Sequence, residues 1–481
     1  MADQPRAIGR LVFTLLACFL LPCAAALGAA PDWQGTHDRL VARLRALEGR
    51  EGAFGPAYRP LYHAALGWYE AWGGRNSDPV DDNMVSPEKY ASELAGALEN
   101  GRNFFADHPG ASFPLAFERT LPSGQTVTCN YWLNLPAGFP ETGKTYPLIV
   151  GLHGSGWLGH KISFVRGNGP GQPFFSVTPI DQAGPWQIDF LNAYLDELEA
   201  MLPIDHDRIY LEGHSLGAMA TWEWAMANPE RFAAISPRDG EGEPYRAVRL
   251  KNVPAWVIHG EKDDVIASGF AEEMITALRA CGGTAKYSLL PGAPHNLPKD
   301  FDQAAVISWY LQHSRSHEPP GLDPREDLQL NDAGVSQWKV IGVPGGIYWK
   351  SAVLGTPGRD WGLRPPAGPL FKRIQSKGQL VGEPVRRLYD HSSTDSSLWL
   401  AAPPALQAEA AADPAAVPLP ARREARFYFQ GSYREGLRHA RAVSAELQAE
   451  GKPVSGRIWV TQLSLWGNTP RGIAEFWVEL R

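Results

Sequence analysis

The sequence predicts an α/β fold built on a mainly parallel sheet, followed by a smaller α+β region. Three observations support this prediction. The stretch YPLIVGLHGSG (146–156) is a continuous apolar run that ends in a glycine-rich turn, which is typical of a buried parallel strand. From there to residue 314, apolar strand-like runs alternate with amphipathic helical stretches. Beyond residue 335 the alternation stops, and two units of similar pattern follow.

Length and composition narrow the classes of protein. The chain of 481 residues is too long for one ordinary core, so two or three domains are expected. With 44% hydrophobic and 20% charged residues, it has the composition of a globular protein. Its net charge of −7, without a long basic run, argues against nucleic acid as the main partner.

Residues 1–28 have the pattern of an export signal. Arg6 and Arg10 precede an apolar core, LVFTLLACFLL, and small residues follow in PCAAALGAA. This core is too short to span a bilayer comfortably. We therefore expect a cleaved signal peptide and an exported protein, periplasmic or secreted, with no membrane span after cleavage. An uncleaved N-terminal anchor is the alternative.

Removal of this signal leaves Cys129 and Cys281 in the mature chain. An exported protein can join two cysteines in a disulfide, and it can equally keep both as buried thiols. The sequence leaves that choice open. Neither residue stands in a metal-binding spacing, so no metal site is predicted.

Four regions are expected after the signal. Residues 32–110 carry helical apolar spacing and predict a helical N-terminal extension. Residues 111–314 begin with two antiparallel strands, in LAFERTLPSGQTVTCNYWLN, and continue into the alternating segments of the sheet flanked by helices. Residues 315–334 are polar and contain prolines, which predicts an inter-domain linker. Residues 335–481 form the smaller region.

The smaller region contains a weak internal duplication. Residues 371–403 and 437–481 each read as a helix, a Gly-x-Pro-Val sequence that opens a strand, and a last strand containing a tryptophan. Two such units predict an α+β domain of two βαββ-like repeats. The Ala/Pro-rich connector between them is expected to be flexible or extended.

Ser215 is the candidate nucleophile, in the sequence Gly-His-Ser-Leu-Gly (213–217). The G-x-S-x-G pattern places a serine in a tight, strained turn between a strand and a helix, where side chains at the glycine positions would clash with neighbouring backbone. IYL before it predicts the strand, and SLGAMATWEWAMANPERF predicts the helix. The helix start also brings a positive dipole end close to the serine. An ordinary turn serine is the alternative, which this context disfavours.

A nucleophilic serine needs a general base and an acid that orients the base. His295, in LLPGAPHNLP, lies in a loop after the last predicted strand of the sheet, where the base is expected. The acid should follow the strand AWVIHG, and Asp263 is selected because the turn directly after that strand presents it towards the histidine. His259, at the end of the same strand, fits less well as a base. Other carboxylates near this edge are weaker candidates for the acid: Glu261, Asp264 and Asp239.

Backbone N–H groups must also stabilise the negative charge that develops on the substrate oxygen. One N–H is expected from Leu216, directly after the nucleophile. The other is expected from the glycine-rich turn HGSGW, at Gly154, Ser155 or Gly156.

Four segments, in this order and at this spacing, resemble the α/β-hydrolase superfamily: YPLIVGLHGSG, GHSLGAMATWEWAMANPERFAAISP, AWVIHGEKDDVI and YSLLPGAPHN. More narrowly, residues 115–313 resemble the secreted bacterial predicted-peptidase, polyhydroxybutyrate-depolymerase and feruloyl-esterase-like group. This resemblance implies an acyl-enzyme mechanism with Ser215, Asp263 and His295 as the triad. It implies no cofactor, and a small-molecule or polymer ester as the substrate. Ala218 departs from the pattern, because many relatives have a second glycine there.

The duplicated region resembles the bacterial effector-binding, gyrase-inhibitor-like fold, in which two βαββ units form a ligand cleft. The resemblance implies a small ligand in that cleft, with Glu475 on the last strand facing it. Trp399 and Trp477 stand at equivalent positions of the two units. Packing of both tryptophans in the core is the alternative for these residues. A small β-rich module that binds carbohydrate or surfaces is the alternative for the domain.

The sequence therefore predicts an exported serine hydrolase that cleaves carboxylic esters and carries an appended binding domain. A serine peptidase of prolyl-oligopeptidase type would use the same triad. A non-catalytic ligand-binding protein is the third alternative, which is disfavoured because every expected catalytic position is filled.

Overall fold

The computed structural model describes residues 33–47, 87–102, 104, 107–108, 110, 112–120, 124, 126–136, 139, 143–155, 174–179, 186–296, 301–350, 387–390, 397–402, 407–414, 416–462 and 473–481. The predicted signal peptide, residues 1–28, lies outside these ranges. The helix predicted to open the first C-terminal unit (371–403), before its Gly-x-Pro-Val sequence, also lies outside them.

The first of two sheets has eight strands in the order β1-β2-β4-β3-β5-β6-β7-β8. β1, β2 and β4 pair antiparallel, and all other neighbours pair in parallel. The predicted α/β sheet with an antiparallel start is confirmed. Its strands are β1 (Ser112–Thr120), β2 (Thr126–Asn134), β3 (Tyr146–Leu152), β4 (Phe175–Pro179), β5 (Ile204–His214), β6 (Ala234–Arg238), β7 (Ala255–Gly260) and β8 (Ala285–Leu290).

The central strands are buried on both faces, which explains why their sequences are continuously apolar. Every residue of β3, β6 and β7 is buried. Alternate side chains of β3 enter two different cores, since Leu148 and Val150 pack on one face and Ile149 packs on the other. The helices of this domain are α1 (Trp33–Arg45), α2 (Pro87–Asn100), α3 (Ile188–Met201), α4 (Leu216–Ala227), α5 (Ser268–Ala280) and α6 (Gln303–Tyr310).

The helical N-terminal extension packs directly on the first domain. Leu44 of α1 and Leu98 of α2 are fully buried in the same core as Leu148. Arg43 and Glu99 join the two helices through a salt bridge of 2.6 Å. The extension therefore adds to this core through the apolar faces that its helical spacing predicted.

The segment predicted as a linker is anchored to the first domain. Arg246 is completely buried and donates to Asp323 of this segment at 2.6 Å and to Glu243 at 3.0 Å. Burial alone would raise the pKa of Asp323, but its hydrogen bonds and its pairing with Arg246 lower that pKa to about 2. Gly321 approaches the carbonyl oxygen of Val248 so closely that a Cβ atom would lie 2.3 Å from it. The polar composition of the segment did not indicate these contacts.

The second sheet also has eight strands, in the order β13-β10-β12-β11-β15-β16-β14-β9. Every neighbouring pair is antiparallel. The strands are β9 (Lys339–Val343), β10 (Gly346–Lys350), β11 (Arg387–Asp390), β12 (Ser397–Ala401), β13 (Ala416–Leu419), β14 (Arg422–Gln430), β15 (Val454–Gln462) and β16 (Ile473–Leu480).

The order of the central strands is mirrored about the pairing of β11 with β15. β10, β12 and β11 lie on one side, and β14, β16 and β15 occupy the matching places on the other. The second unit runs strand, helix, strand, strand, with the helix α8 (Tyr433–Ala449) between β14 and β15. α8 begins at a capping box in which Ser432 and Glu435 satisfy each other's backbone N–H groups.

The Ala/Pro-rich connector is more ordered than its composition indicated. It contains the short helix α7 (Gln407–Ala411) and the edge strand β13. Ala410 is fully buried, and Asp413 accepts a hydrogen bond of 3.0 Å from the indole N–H of Trp349. The connector is held by two contacts: the small side chain of Ala410 fits into the core, and the carboxylate of Asp413 accepts a hydrogen bond from a buried indole.

One apolar core spans the two domains. Met219 of α4, together with Ile266 and Phe270 near the start of α5, belongs to the same buried cluster as Phe427 and Phe476 of the second sheet. The side chain of Leu216 packs against this cluster and against the main core of the first domain. The second domain therefore adjoins the segments that directly follow Ser215 and Asp263.

Two further sequence questions concern membranes and cysteines. Within the described ranges, no helix is both long and apolar enough to cross a membrane. Cys281, directly after α5, is a free and exposed cysteine, so it is not part of a disulfide.

We expect Asp323→Asn to lower the free energy of unfolding by about 3 kcal/mol, because Arg246 stays buried with less negative charge beside it. Urea denaturation at neutral pH measures this loss. Asp332→Asn, an exposed change in the same segment, is the control and should have no effect. The Asp323 contribution is complete above about pH 5 and is lost progressively as the pH falls through about 2, because folding depresses this pKa. An Asp323→Asn protein with wild-type stability would contradict the assignment.

Candidate active site

Ser215 occupies the turn between β5 and α4 in a strained backbone conformation. Its φ of 55° and ψ of −117° lie outside the regions that residues with a side chain normally adopt. The side chain is nearly buried, with 4% exposed. Strain of this kind is concentrated at functional turns, where the surrounding structure enforces it.

The glycines on either side of Ser215 are required by close backbone contacts. A Cβ atom on Gly213 would lie 2.2 Å from the carbonyl oxygen of Gly217, and one on Gly217 would lie 2.0 Å from that of Leu152. Ala218, the departure from the family pattern, is accommodated by another glycine. A Cβ atom on Gly240 would lie 2.4 Å from the methyl group of Ala218.

The structure brings Ser215, His295 and Asp263 into one hydrogen-bonded chain. Nε2 of His295 lies 2.9 Å from Oγ of Ser215. Nδ1 of the same ring lies 2.8 Å from Oδ2 of Asp263 and donates to it. The other carboxylate oxygen, Oδ1, accepts from the backbone N–H groups of Val265 at 2.9 Å and Ile266 at 2.8 Å. The acid is therefore held by its own turn while it faces the imidazole.

Asp263 is charged although only 1% of it is exposed. Burial alone would raise its pKa, because a carboxylate loses its hydration. Hydrogen bonds from His259, His295 and the N–H of Ile266 outweigh burial and hold the pKa of Asp263 well below its usual range. The carboxylate is thus available to orient the His295 ring and would stabilise an imidazolium formed when that ring accepts a proton.

The expected oxyanion donors lie on both sides of the serine. Gly154 is buried against it, since a Cβ atom there would lie 3.2 Å from Cβ of Ser215. Leu216 is the first residue of α4, so its N–H has no acceptor within the helix. Ser155 follows in an exposed turn, and Gly156 lies outside the described residues. Trp186 steadies this loop by donating to the carbonyl oxygen of His153 at 3.2 Å.

Three residues that sequence reasoning did not place in the site surround the triad. Nε2 of His214 donates to the carbonyl oxygen of His295 at 2.8 Å and lies 3.5 Å from Oδ2 of Asp239. Nε2 of His259 lies 3.2 Å from Oδ2 of Asp263. Asp239 has a φ of 50°, which marks a strained turn at the end of β6. The sequence analysis weighed Asp239 as an acid and His259 as a base. Their position at the ends of neighbouring strands was the feature of the sequence that could have placed them near the triad.

Asp239, His259 and Asp263 also bring potential metal-ligand atoms within 4.8 Å of one another. Nε2 of His259 faces the carbonyl oxygen of Ile266 at 2.8 Å, so this nitrogen must carry a proton. A protonated nitrogen cannot coordinate a metal ion, so only Nδ1, which has no hydrogen-bond partner among the described residues, could offer a ligand atom from this ring. Asp263 is in addition engaged by His295. We assign no metal to this group.

The three candidate ligand residues of the second domain lie on the sheet face opposite α8. Trp399 and Trp477 are 3% and 2% exposed and share an apolar cluster with Trp459 and Tyr348. Glu475 lies 3.9 Å from Arg426. The same face carries three arginines and three glutamates in contact with one another, namely Arg422, Arg426, Arg457, Glu424, Glu475 and Glu479.

Arg422 is the most constrained member of this charged group. Its Nε donates to Glu424 at 2.6 Å. Its guanidinium carbon lies 5.5 Å from the ring centre of Trp459 and 5.9 Å from that of Tyr348. Both terminal nitrogens, Nη1 and Nη2, are buried and have no acceptor within 3.5 Å among the described residues, although Tyr348 acts as a weaker acceptor that raises the pKa of Arg422. Buried N–H groups of this kind are rare and call for an acceptor.

Comparison with known proteins finds esterases and peptidases. No family model matches the chain. The "Uncharacterized peptidase YuxL" of Bacillus subtilis is 25% identical over 281 residues, which are 46% of this chain and 42% of that protein. The "Bifunctional acetylxylan esterase/xylanase XynS20E" of Neocallimastix patriciarum is 25% identical over 225 residues, 41% of this chain and 32% of that protein. A solved thermostable esterase is 25% identical, with a TM-score of 0.35, over 42% of this chain and 63% of its own.

The chain spans less than half the length of these two curated relatives. Its first domain has the mixed, mostly parallel sheet expected of an α/β-hydrolase. The two curated relatives bear the names of a peptidase and of an acetylxylan esterase/xylanase. They include both esterases and peptidases, so they do not resolve the type.

We expect Gly217→Ala to destabilise the turn at Ser215 by more than about 3 kcal/mol, because the added methyl group meets the backbone of β3 and not a side chain that can move. Urea denaturation and thermal melting measure the loss. Gly342→Ala is the control, because a Cβ atom there meets nothing within 4 Å. Equal stability of the two variants would show that the turn tolerates a side chain.

Proposed function

We propose that this protein is an exported serine hydrolase that cleaves carboxylic esters through an acyl-enzyme. The observation that carries the proposal is the chain of two hydrogen bonds from Ser215 through His295 to Asp263, at 2.9 and 2.8 Å. A serine hydroxyl is a weak nucleophile unless a base removes its proton as it attacks. His295 is within reach to do so.

The proposed reaction begins when Oγ of Ser215 attacks the ester carbonyl carbon. His295 takes the hydroxyl proton on Nε2, and Asp263 stabilises the resulting imidazolium. The tetrahedral intermediate collapses when His295 returns that proton to the leaving alcohol. Water then attacks the acyl-enzyme with His295 again as the base, which releases the acid and restores Ser215.

The negative charge on the substrate oxygen would be stabilised by two backbone N–H groups. Leu216 supplies one at the start of α4, where the helix dipole adds positive potential. The loop at Gly154 supplies the other. Because Gly154 is in contact with the serine, a substrate carbonyl bound to Ser215 would lie between these two donors.

An alternative is a serine peptidase of prolyl-oligopeptidase type. It would use the same three residues, and one of the curated relatives bears a peptidase name. The two activities differ in the leaving group, because an amine must be protonated by His295 before it departs, whereas an alcohol leaves more easily. A matched panel of esters and amides distinguishes them. The third alternative, a non-catalytic binding protein, would react with neither.

We expect Ser215→Ala to lower ester hydrolysis by a factor on the order of 10⁴ to 10⁶ and to abolish labelling by a fluorophosphonate probe. Ser308→Ala, an exposed serine on α6, is the matched control and should retain both. Faster turnover of amides than of matched esters would favour the peptidase. A folded wild-type protein that neither reacts with the probe nor turns over substrate would overturn the enzyme proposal.

Export is part of the proposal and rests on the signal-like sequence of residues 1–28. Export can be measured by expressing the full chain in a Gram-negative host and locating the probe-labelled protein. Labelled protein in the periplasmic fraction, with a mass that lacks these residues, supports export. Full-length labelled protein in the cytoplasm contradicts it.

We propose in addition that the second domain binds a small ligand, as in effector-binding domains. The observation in its favour is the buried guanidinium of Arg422, whose terminal nitrogens make no close hydrogen bond and suit a carboxylate. Trp459, which lies beside Arg422, and the tryptophans that share its apolar cluster suit an aromatic ring. An aromatic acid combines both features, and ferulate is the acid that a feruloyl ester would release. Trp399 and Trp477 are buried, so such a ligand would reach them only by displacing the side chains that pack over them.

We expect isothermal titration with ferulate to detect binding by protein whose Ser215 has been phosphonylated, which blocks the catalytic site. Arg422→Gln should weaken this binding at least tenfold, through loss of a charged hydrogen bond. Arg438→Gln, an exposed position on α8, is the control. Equal binding by the Arg422→Gln and control proteins, or no binding by either, contradicts this site.

A further inference from the structure

The side chain of His214, the residue directly before Ser215, lies on the sheet face that carries α6. Side chains alternate between the two faces of a strand, so Tyr210 and His214 of β5 share a face. Tyr210 packs there in one apolar cluster with Ile307 of α6. The segment that carries His295, residues 291–302, joins β8 to α6 and is called the base loop below. His214 is therefore buried on the side of the sheet where the base loop ends.

His214 holds the base loop by a hydrogen bond to its backbone. Nε2 of His214 lies 2.8 Å from the carbonyl oxygen of His295, and the centres of the two rings are 5.0 Å apart. Oδ2 of Asp239 lies 3.5 Å from the same nitrogen. Both neighbours of Nε2 are acceptors, so this nitrogen carries a proton, and a neutral ring is sufficient for the contact.

Asp239 is itself fixed by the end of β7. Its Oδ1 accepts from the backbone N–H of Gly260 at 2.8 Å, and its own backbone N–H donates to the carbonyl oxygen of Ile258 at 3.0 Å. Its φ of 50° is strained for a residue with a side chain, and such strain persists where the surrounding structure enforces it. The end of β7, which leads into the turn of Asp263, thus adjoins the ring that holds His295.

The other ring nitrogen of His214 adjoins the loop of an expected oxyanion donor. A Cβ atom on Gly154 would lie 3.3 Å from Nδ1 of His214 and 3.2 Å from Cβ of Ser215. One ring is therefore packed between the loop at Gly154 and the base loop. A change in its position would be felt by both.

The base loop is attached to the sheet before, at and after His295. Before it, the carbonyl oxygen of Ala293 accepts from the N–H of Lys262 at 2.8 Å. After it, the amide of Gln303, at the start of α6, donates to Glu212 at 3.3 Å. The hydrogen bond from His214 acts between these two, on the backbone of the catalytic histidine itself.

We propose that His214 is a positioning residue, which keeps Nε2 of His295 within reach of Ser215 by holding the backbone of the base loop. Asp263 orients the imidazole through its Nδ1, and His214 fixes the place of the residue that bears this imidazole. The inference rests on the proposed triad and adds a residue to it. No bond is made or broken at His214, and its ring does not exchange a proton with the substrate.

The test compares His214→Met with His214→Gln for hydrolysis of an ester. The two side chains have nearly the same length, but only glutamine keeps an N–H donor at the place of Nε2. We expect His214→Met to lower kcat on the order of tenfold to a hundredfold with little change in KM, because a displaced base is poorly aligned with the serine. His214→Gln should stay within about threefold of the wild-type kcat, since it retains the hydrogen bond.

End-point titration with a fluorophosphonate counts the folded protein in each sample, so kcat is not affected by an unfolded fraction. A merely structural role would lower stability and leave kcat per titrated site unchanged. Equal kcat in the methionine and glutamine variants, or a loss confined to KM, would overturn the proposal while wild-type activity upholds the proposed function.

A second measurement uses the wild-type protein and does not depend on the methionine variant folding. In protein labelled with ¹⁵N at its histidine rings, the nitrogen shifts report which nitrogen carries the proton, and the signals of His214 are those missing from His214→Gln. We expect Nε2 of His214 to be protonated. An unprotonated Nε2 would exclude the hydrogen bond and overturn the proposal. A wild-type protein without esterase activity would instead overturn the proposed function and leave this spectrum readable.

Discussion

The site is organised around a negative charge that is buried at Asp263. A carboxylate out of water is unstable unless several donors surround it, and here two backbone N–H groups and two imidazole rings do so. The donors come from the turn itself, from β7 and from the loop after β8. The position of His295, and with it the reach to Ser215, depends on this charge being held.

The local parts of the site could be predicted because each depends on a short, continuous stretch of sequence. The strand, the G-x-S-x-G turn and the helix at Ser215 are contiguous, and their glycines are required by backbone contacts within a few ångströms. His295 and Asp263 follow strands whose apolar runs are unmistakable, and parallel strands bring their carboxyl ends to one edge. The structure places all three within hydrogen-bond reach.

Contacts between distant segments could not be predicted, since no periodicity records them. His259 and Asp239 were visible as polar residues at the ends of strands, but their proximity to Asp263 depends on how neighbouring strands and their turns pack together. The pairing of Arg246 with Asp323 spans 77 positions, and each residue alone looks like an ordinary surface charge. The helix and the fixed position of the connector could not be predicted for a similar reason, because they depend on a buried indole on another strand.

The apolar core shared by the two domains has a consequence for how this architecture can be inherited. A first domain released from the second by a cut between 315 and 334 would expose Met219 and Phe270 to water, close to Ser215 and Asp263. Neither domain is therefore expected to be replaceable by an unrelated domain without loss of this shared core. A substitution at the shared core in one domain must fit the apolar side chains of the other, so we expect core residues of the two domains to change together.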